Sequence, residues 1–172
     1  EAQGLAEQGV RELIVIAQDI TRYGTDLYGR RRLAELLTEL CRMPFHWVRL
    51  HYLYPDEVDQ TLIQVIAREP KIVKYLDIPI QHLDDGILKA MHRRGDSALI
   101  QKVVSELRSA IPDLVLRTSI IVGFPGEGEE AFEALCSQLP PLNFQRAGVF
   151  PFSCEEGTPA ANMPGQVSAE IA

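Results

Sequence analysis

Leu114-Val115-Leu116-Arg117-Thr118-Ser119-Ile120-Ile121-Val122-Gly123-Phe124-Pro125-Gly126-Glu127 is the stretch that decides the fold. Leu114 to Val122 is rich in apolar and β-branched residues, with Arg117 and Ser119 among them, and reads as the most apolar of the strands. Gly123, Pro125 and Gly126 then turn the chain into helical spacing over Glu129 to Leu139. The same unit recurs upstream. Tyr75 to Ile80 reads as a strand followed by helices at Gly86 to His92 and Ala98 to Ala110, and Trp47 to Tyr52 precedes a helix at Val58 to Arg68. Glu12 to Ala17 is a continuous apolar run, expected to be a strand buried on both faces, before a helix from Arg32 to Met43 with Leu33, Leu36, Leu37 and Leu40 at helical spacing. Downstream, Gln145 to Phe152 is the fifth strand, and Glu1 to Gly9 reads as the end of a helix. The expected class is α/β, with parallel strands and right-handed helical crossovers.

Such alternation fits a doubly wound sheet or a barrel. The first strand is not followed by a G-x-G-x-x-G turn, so the dinucleotide-binding fold lacks its best marker. Polar and aromatic residues instead follow every strand, at the carboxyl ends where barrels bind ligands. A complete eight-unit barrel takes about 250 residues, and the chain has 172, so a partial barrel is expected.

The composition is ordinary for a globular domain, 46% hydrophobic and 24% charged. Cys41, Cys136 and Cys154 are odd in number and widely spaced, which indicates a reducing compartment, the cytoplasm, rather than a disulfide framework. No apolar run reaches the roughly 18 residues of a membrane span, so no membrane partner is expected. The net charge of -7 is uneven: residues 1–95 hold 13 basic and 14 acidic side chains, residues 96–172 hold 4 and 10. That field favours a basic protein over nucleic acid as the main partner.

Candidate ligand-binding residues cluster after the strands. Gln18 and Asp19 open a loop rich in hydroxyls and carboxylates, where Asp19 also suits a turn cap. Arg30-Arg31-Arg32 opens a helix, the end where the dipole disfavours cations, and reads as a solvated basic face or an anion contact. Gln81 and His82 follow the third strand; a histidine without a second histidine or cysteine at ligand spacing is a hydrogen-bonding residue before it is a metal ligand. Arg93 and Arg94 end a short helix and are placed to clamp a carboxylate or phosphate. Cys41 and Cys136 fall within helical patterns as small core residues, and Cys154 is expected to be exposed. No triad or nucleophile elbow is present in the sequence.

Taken in order, these segments resemble the radical S-adenosylmethionine methylthiotransferases, specifically the type that acts on a small-subunit ribosomal protein. The match runs through Gln18-Asp19 to Gly29, Arg49-Leu50-His51-Tyr52-Leu53-Tyr54-Pro55, Lys74 to His82, Leu88-Lys89-Ala90-Met91 with Arg93-Arg94-Gly95, Arg117-Thr118-Ser119 to Glu127, and Val149-Phe150 to Ala160, covering about residues 10–165. Transfer-RNA-modifying relatives carry Gln-Asn in place of Gln18-Asp19 and Pro-x-Gln-Ser-Gly in place of Pro79 to Leu83, which favours the ribosomal-protein type. A transfer-RNA methylthiotransferase is the nearest alternative; a phosphate-binding barrel aldolase or isomerase, or a non-enzymatic scaffold, would be rivals of other classes.

The resemblance implies a six-unit partial strand-helix barrel of the radical S-adenosylmethionine type. Its first unit carries a Cys-x-x-x-Cys-x-x-Cys loop holding a [4Fe-4S] cluster, which binds S-adenosylmethionine and yields a deoxyadenosyl radical. The radical abstracts hydrogen from the beta carbon of an aspartate, where a methylthio group is installed; an auxiliary cluster and an electron donor take part. This sequence has no such cysteine loop, so its five strands would be units two to six, with the first strand-helix unit absent, and no metal ligand is expected within it. The cluster loop and auxiliary domain are expected before Glu1 and a small β domain after Ala172, with the barrel at 1–153 and a linker at 154–172. The 172 residues alone are expected not to assemble the cluster, and the open edge at Glu12 to Ala17 to promote concentration-dependent dimerisation. The resemblance puts Gln18 and Asp19 near the cofactor methionine and Pro79, Gln81 and His82 near its ribose. It puts Gly123, Phe124 and Gly126 near the adenine and Arg93 or Arg94 on a carboxylate, with Thr118 and Phe150 as further cofactor-binding candidates.

Overall fold

The computed structural model describes residues 1–168, 170 and 171. Among them, β1 (Glu12–Val15), β2 (Trp47–Leu50), β3 (Ile72–Asp77), β4 (Val115–Val122) and β5 (Arg146–Pro151) form one parallel sheet in sequence order. Helices alternate with them: α1 (Ala2–Glu7), α2 (Thr25–Tyr28), α3 (Leu33–Arg42), α4 (Gln60–Arg68), α5 (Asp85–Ala90), α6 (Ser97–Ala110) and α7 (Glu129–Gln138). The expected α/β class and open, partial-barrel order are what the chain adopts. No helix among the described residues is long and apolar enough to cross a membrane.

Aspartates start α4, α5 and α6. Asp59, Asp84 and Asp96 each accept a hydrogen bond from the backbone amide three residues on, at 2.8 to 2.9 Å, satisfying donors that have no partner within the helix. On the helix side of the sheet, Val48, Leu50, Leu76, Leu116 and Ile120 are buried against Leu37 and Leu40 of α3, Ile63 and Ile66 of α4, and Val104 and Leu107 of α6, in one continuous core. Each such aliphatic side chain contributes about 1.5–3 kcal/mol by leaving water. Lys74 on β3 reaches back to the end of α4, where its ammonium donates to the carbonyls of Ile66, Ala67 and Glu69.

The other sheet face is concave and sparsely covered. Register sets Ile14 beside Arg49, Arg117 between Asp77 and Arg146, Ser119 beside Gly148, and Ile121 beside Phe150. β4 shows the division directly, with Leu116, Thr118, Ile120 and Val122 buried and the alternate residues half-exposed.

Three sequence expectations need correction. β1 is not buried on both faces: Ile14 is 49% and Ile16 61% exposed, because β1 lies at an edge of the sheet and nothing among the described residues covers the concave face there. The third strand lies earlier than expected, at Ile72–Asp77. Pro79 has no amide for the ladder, and the chain rejoins β4 at Gln81, opposite Ile120. Cys136 is exposed on α7 rather than in the core, whereas Cys41 is buried and Cys154 exposed. The Arg30 to Arg32 run keeps its solvated character, with Glu35 pairing Arg30 and Arg32 and Glu57 pairing Arg31 at the surface. Of the expected linker, residues 159–162 form a 3-10 turn and Gly165 accepts the Gly126 amide at 2.9 Å, while positions 169 and 172 lie outside the described residues.

Candidate functional site

The carboxyl ends of the strands gather most of the polar residues singled out from sequence. After β1, Gln18 is exposed, and Asp19 turns the chain by accepting the Thr21 amide at 3.0 Å. Asp19 also lies 3.7 Å from Arg94, which pairs with Asp56 at 3.0 Å and Glu57 at 2.8 Å. Arg94 is therefore committed to three carboxylates of its own chain. Burial pushes the Asp56 carboxyl above its ordinary range, with Arg94 opposing and Glu57 and Asp19 reinforcing the shift. Its Oδ1 is buried without a hydrogen-bond partner among the described residues. Arg93 is held at one nitrogen: Nη2 donates to the Pro79 carbonyl at 2.6 Å, and the guanidinium stacks 4.4 Å from the Tyr54 ring centre. Arg94 is not a free clamp, whereas Arg93 keeps Nε and Nη1 without a hydrogen bond among the described residues.

The segment after β3 is held by β4. Thr118, fully buried, donates its hydroxyl to the Ile78 carbonyl at 2.9 Å and accepts the Ile80 amide at 3.2 Å, spanning the gap left by Pro79. Gln81 takes a positive φ of 70° and pairs through its backbone with Ser119 and Ile121. Its Oε1 is buried and unpartnered among the described residues. His82 is fully buried; its Nδ1 accepts the Asp84 amide at 2.9 Å, and Nε2 lies 3.5 Å from Glu127 Oε1 with no hydrogen-bond partner among the described residues. Glu127 in turn accepts the Phe124 amide at 3.1 Å. Gly123 and Gly126, at φ 72° and 91°, give the turn a backbone path that side chains resist. Phe124 is buried edge-on against Phe152, 5.1 Å between centres. Gln81, Met91, Arg93, Ile121, Phe124 and Ala160 are among the walls of a cleft of about 320 Å³.

The concave face carries charged residues that sequence reasoning quoted only as parts of motifs. Arg49 pairs with Glu12 at 2.5 Å and lies 5.7 Å from the Tyr75 ring centre. Arg117 donates to Asp77 at 2.8 Å and Ser119 at 3.3 Å, and His51 stands 4.0 Å from the other Asp77 oxygen. The Asp77 hydrogen bond outweighs desolvation and holds the Arg117 guanidinium firmly charged. The available signal was a charge within an otherwise apolar strand, at Arg49, Asp77 and Arg117. Phe150, exposed on β5, lies next to Ile121 on the same face.

The structure thus brings Gln81, His82, Arg93, Thr118, Gly123, Phe124 and Gly126 into one region, while Gln18 and Asp19 lie at the β1 exit and Phe150 on the far wall. An apolar cleft beside an unpartnered buried carbonyl oxygen suits an adenosine, whose base needs apolar cover and whose ribose carries hydroxyl donors. The donor set does not suit a cubane cluster: Cys41 is buried while Cys136 and Cys154 are exposed, and no group of three metal-ligating side chains occurs among the described residues.

A family model described as the Radical SAM superfamily matches residues 1–139. Two curated relatives named ribosomal protein uS12 methylthiotransferase RimO illustrate the sequence match. The one from Anaeromyxobacter sp. (strain Fw109-5) is 53% identical over 97% of the chain and 36% of its own length. The one from Citrifermentans bemidjiense is 52% identical over 99% of the chain and 38% of its own length. The chain therefore spans little more than a third of these relatives. Among solved structures, coproporphyrinogen III oxidase HemN from Escherichia coli aligns with a TM-score of 0.65 at 18% identity, over 81% of this chain and 33% of that one. The methyltransferase TsrM from Kitasatospora setae, solved with cobalamin and a [4Fe-4S] cluster, aligns with a TM-score of 0.67 at 16% identity, over 88% and 29%. At these identities the likeness concerns the fold.

Proposed function

Because this chain belongs to the Radical SAM superfamily, we propose that it is the barrel wall of a methylthiotransferase that modifies the beta carbon of an aspartate in a small-subunit ribosomal protein. The roughly half-identical match to uS12 methylthiotransferases across nearly the whole chain carries this reading. Residues 1–153 form the barrel and 154–172 the connecting segment. S-adenosylmethionine, bound with a [4Fe-4S] cluster whose ligands are not among these residues, supplies one-electron hydrogen abstraction from an unactivated carbon.

The chain's own residues bind and orient. Gln81 Oε1, buried without a donor, accepts a ribose hydroxyl. Ile121 and Phe124 cover the adenine, and the Gly123 to Glu127 turn, braced by His82, keeps water from its edge. Gln18 and Asp19 face the methionine end. The partners are the ribosomal protein and an electron donor, in the cytoplasm where ribosomes work.

The test is anaerobic incubation of the full native chain, reconstituted with iron and sulfide, with S-adenosylmethionine, a reductant and either a ribosomal-protein peptide or a transfer-RNA anticodon arm. Replacement of one hydrogen by a methylthio group on the peptide aspartate, read by mass spectrometry, is the expected result. Modification of the RNA in its place, or no deoxyadenosine at all, would overturn the reading.

A further inference from the structure

We infer that Arg117 is the residue that selects the substrate by its side-chain carboxylate, an inference that rests on the aspartate substrate proposed above. Arg94 is spent on three carboxylates; Arg49 gives Nε to Glu12 and Arg93 gives Nη2 to the Pro79 carbonyl, and Arg146, exposed beside Arg117 on β5, has no partner among the described residues to fix its head group. Arg117 is half committed. Its Nη1 donates to Asp77 and Ser119, whereas Nε and Nη2 make no hydrogen bond among the described residues. Those two nitrogens are one edge of the guanidinium fork, the edge that meets a carboxylate with two parallel hydrogen bonds.

The surroundings hold that edge open. Asp77, its side chain 3% exposed, ends β3 and fixes the guanidinium by the opposite edge, so the free edge is already oriented before a ligand arrives. His51, just beyond β2, stands behind Asp77. The head group therefore sits where two strands deliver their carboxyl ends, although Arg117 itself leaves from within β4. Across the face lies Gly148. A Cβ there would fall 3.8 Å from Arg117 Nη2 and 2.9 Å from the Phe150 ring, so the missing side chain lets the ring lie against bare backbone next to the arginine. A cation with one free fork, a bare backbone and an exposed aromatic ring make a seat for a short acidic side chain on a peptide. Arg117 is a specificity-determining residue in this arrangement, because the carboxylate it holds is bonded to the carbon that reacts.

The test is equilibrium binding to the full native chain of two fluorescent peptides that differ only in Asp or Asn at the modified position. The wild type is expected to favour the Asp peptide about tenfold or more, the scale of one charge-assisted bidentate contact. Arg117→Gln should bring that ratio close to one, and Arg117→Lys, which keeps the charge without the fork, should give an intermediate ratio. A purely structural Asp77 to Arg117 pair would weaken both peptides together and leave the ratio unchanged; that result overturns the inference and leaves the methylthiotransferase reading intact. If Arg117→Gln does not fold, the wild-type ratio decides, since equal affinity for both peptides overturns the inference without a variant. Failure of the wild type to bind either peptide overturns the substrate reading itself, and this inference with it.

Discussion

His82 Nε2 lies 3.5 Å from Glu127 Oε1, with the imidazole wholly enclosed. The ring accepts the Asp84 amide at the start of α5 and packs, without a hydrogen bond from Nε2 among the described residues, against Glu127, which accepts the Phe124 amide of the turn. His82→Ala leaves a void and an amide without an acceptor, so a loss of about 2–4 kcal/mol is expected in urea unfolding. Glu127→Gln retains an oxygen for the Phe124 amide and should cost much less. A His82→Ala loss within about 0.5 kcal/mol, the range of ordinary surface changes, would remove His82 from this bracing role.

Asp56 gives the β1 and β2 exits a pH dependence. Burial raises its folded pKa above the ordinary 3.8, so between 3.8 and that raised value the folded state holds more proton than the unfolded one. Stability contributed by this group therefore falls as pH rises through that window. Asp56→Asn removes the dependence, and the variant should gain on the wild type as pH increases there, measured as urea midpoints at stepped pH. Arg94→Ala removes the opposing charge and should raise the Asp56 titration further, followed by carbon NMR of its carboxyl; a downward move would contradict the pairing.

Much of this architecture could be read from local pattern because its strands and helices carry their own signals. β4 falls within the apolar stretch that marks it, and Asp59, Asp84 and Asp96 start helices by ordinary capping chemistry. What local pattern missed depends on neighbours distant in sequence. Ile14 and Ile16 look like core residues until the sheet edge is known. Arg94 looks free until Asp19, Asp56 and Glu57 arrive from other loops. Arg117 looks like part of a strand motif until Asp77, 40 positions away, engages one half of it.

Lys74 closes the end of α4. Its ammonium donates to the carbonyls of Ile66, Ala67 and Glu69, groups that the helix itself leaves unpaired. Lys74→Met keeps most of the apolar stem and removes the donors. A loss of about 1.5–3 kcal/mol is expected, the scale of hydrogen bonds to a charged group, read as a lower urea midpoint at unchanged slope. An unaltered midpoint would mean that water serves those carbonyls equally well.

β1 presents the remaining liability. Among the described residues it pairs only with β2, and its free edge lies beside Ile14 and Ile16 on the concave face, with Trp47 exposed alongside. Unpaired strand amides next to apolar side chains template pairing with another chain. The 172 residues alone should therefore gain weight-average mass with concentration in light scattering. Ile14→Lys and Ile16→Lys put charge on that face without touching the helix-side core, and each should move association to higher concentration. Because the edge hydrogen-bonding groups persist in both variants, association should be weakened rather than abolished, and a wild-type chain that stays monomeric over a wide dilution range would show the edge to be protected.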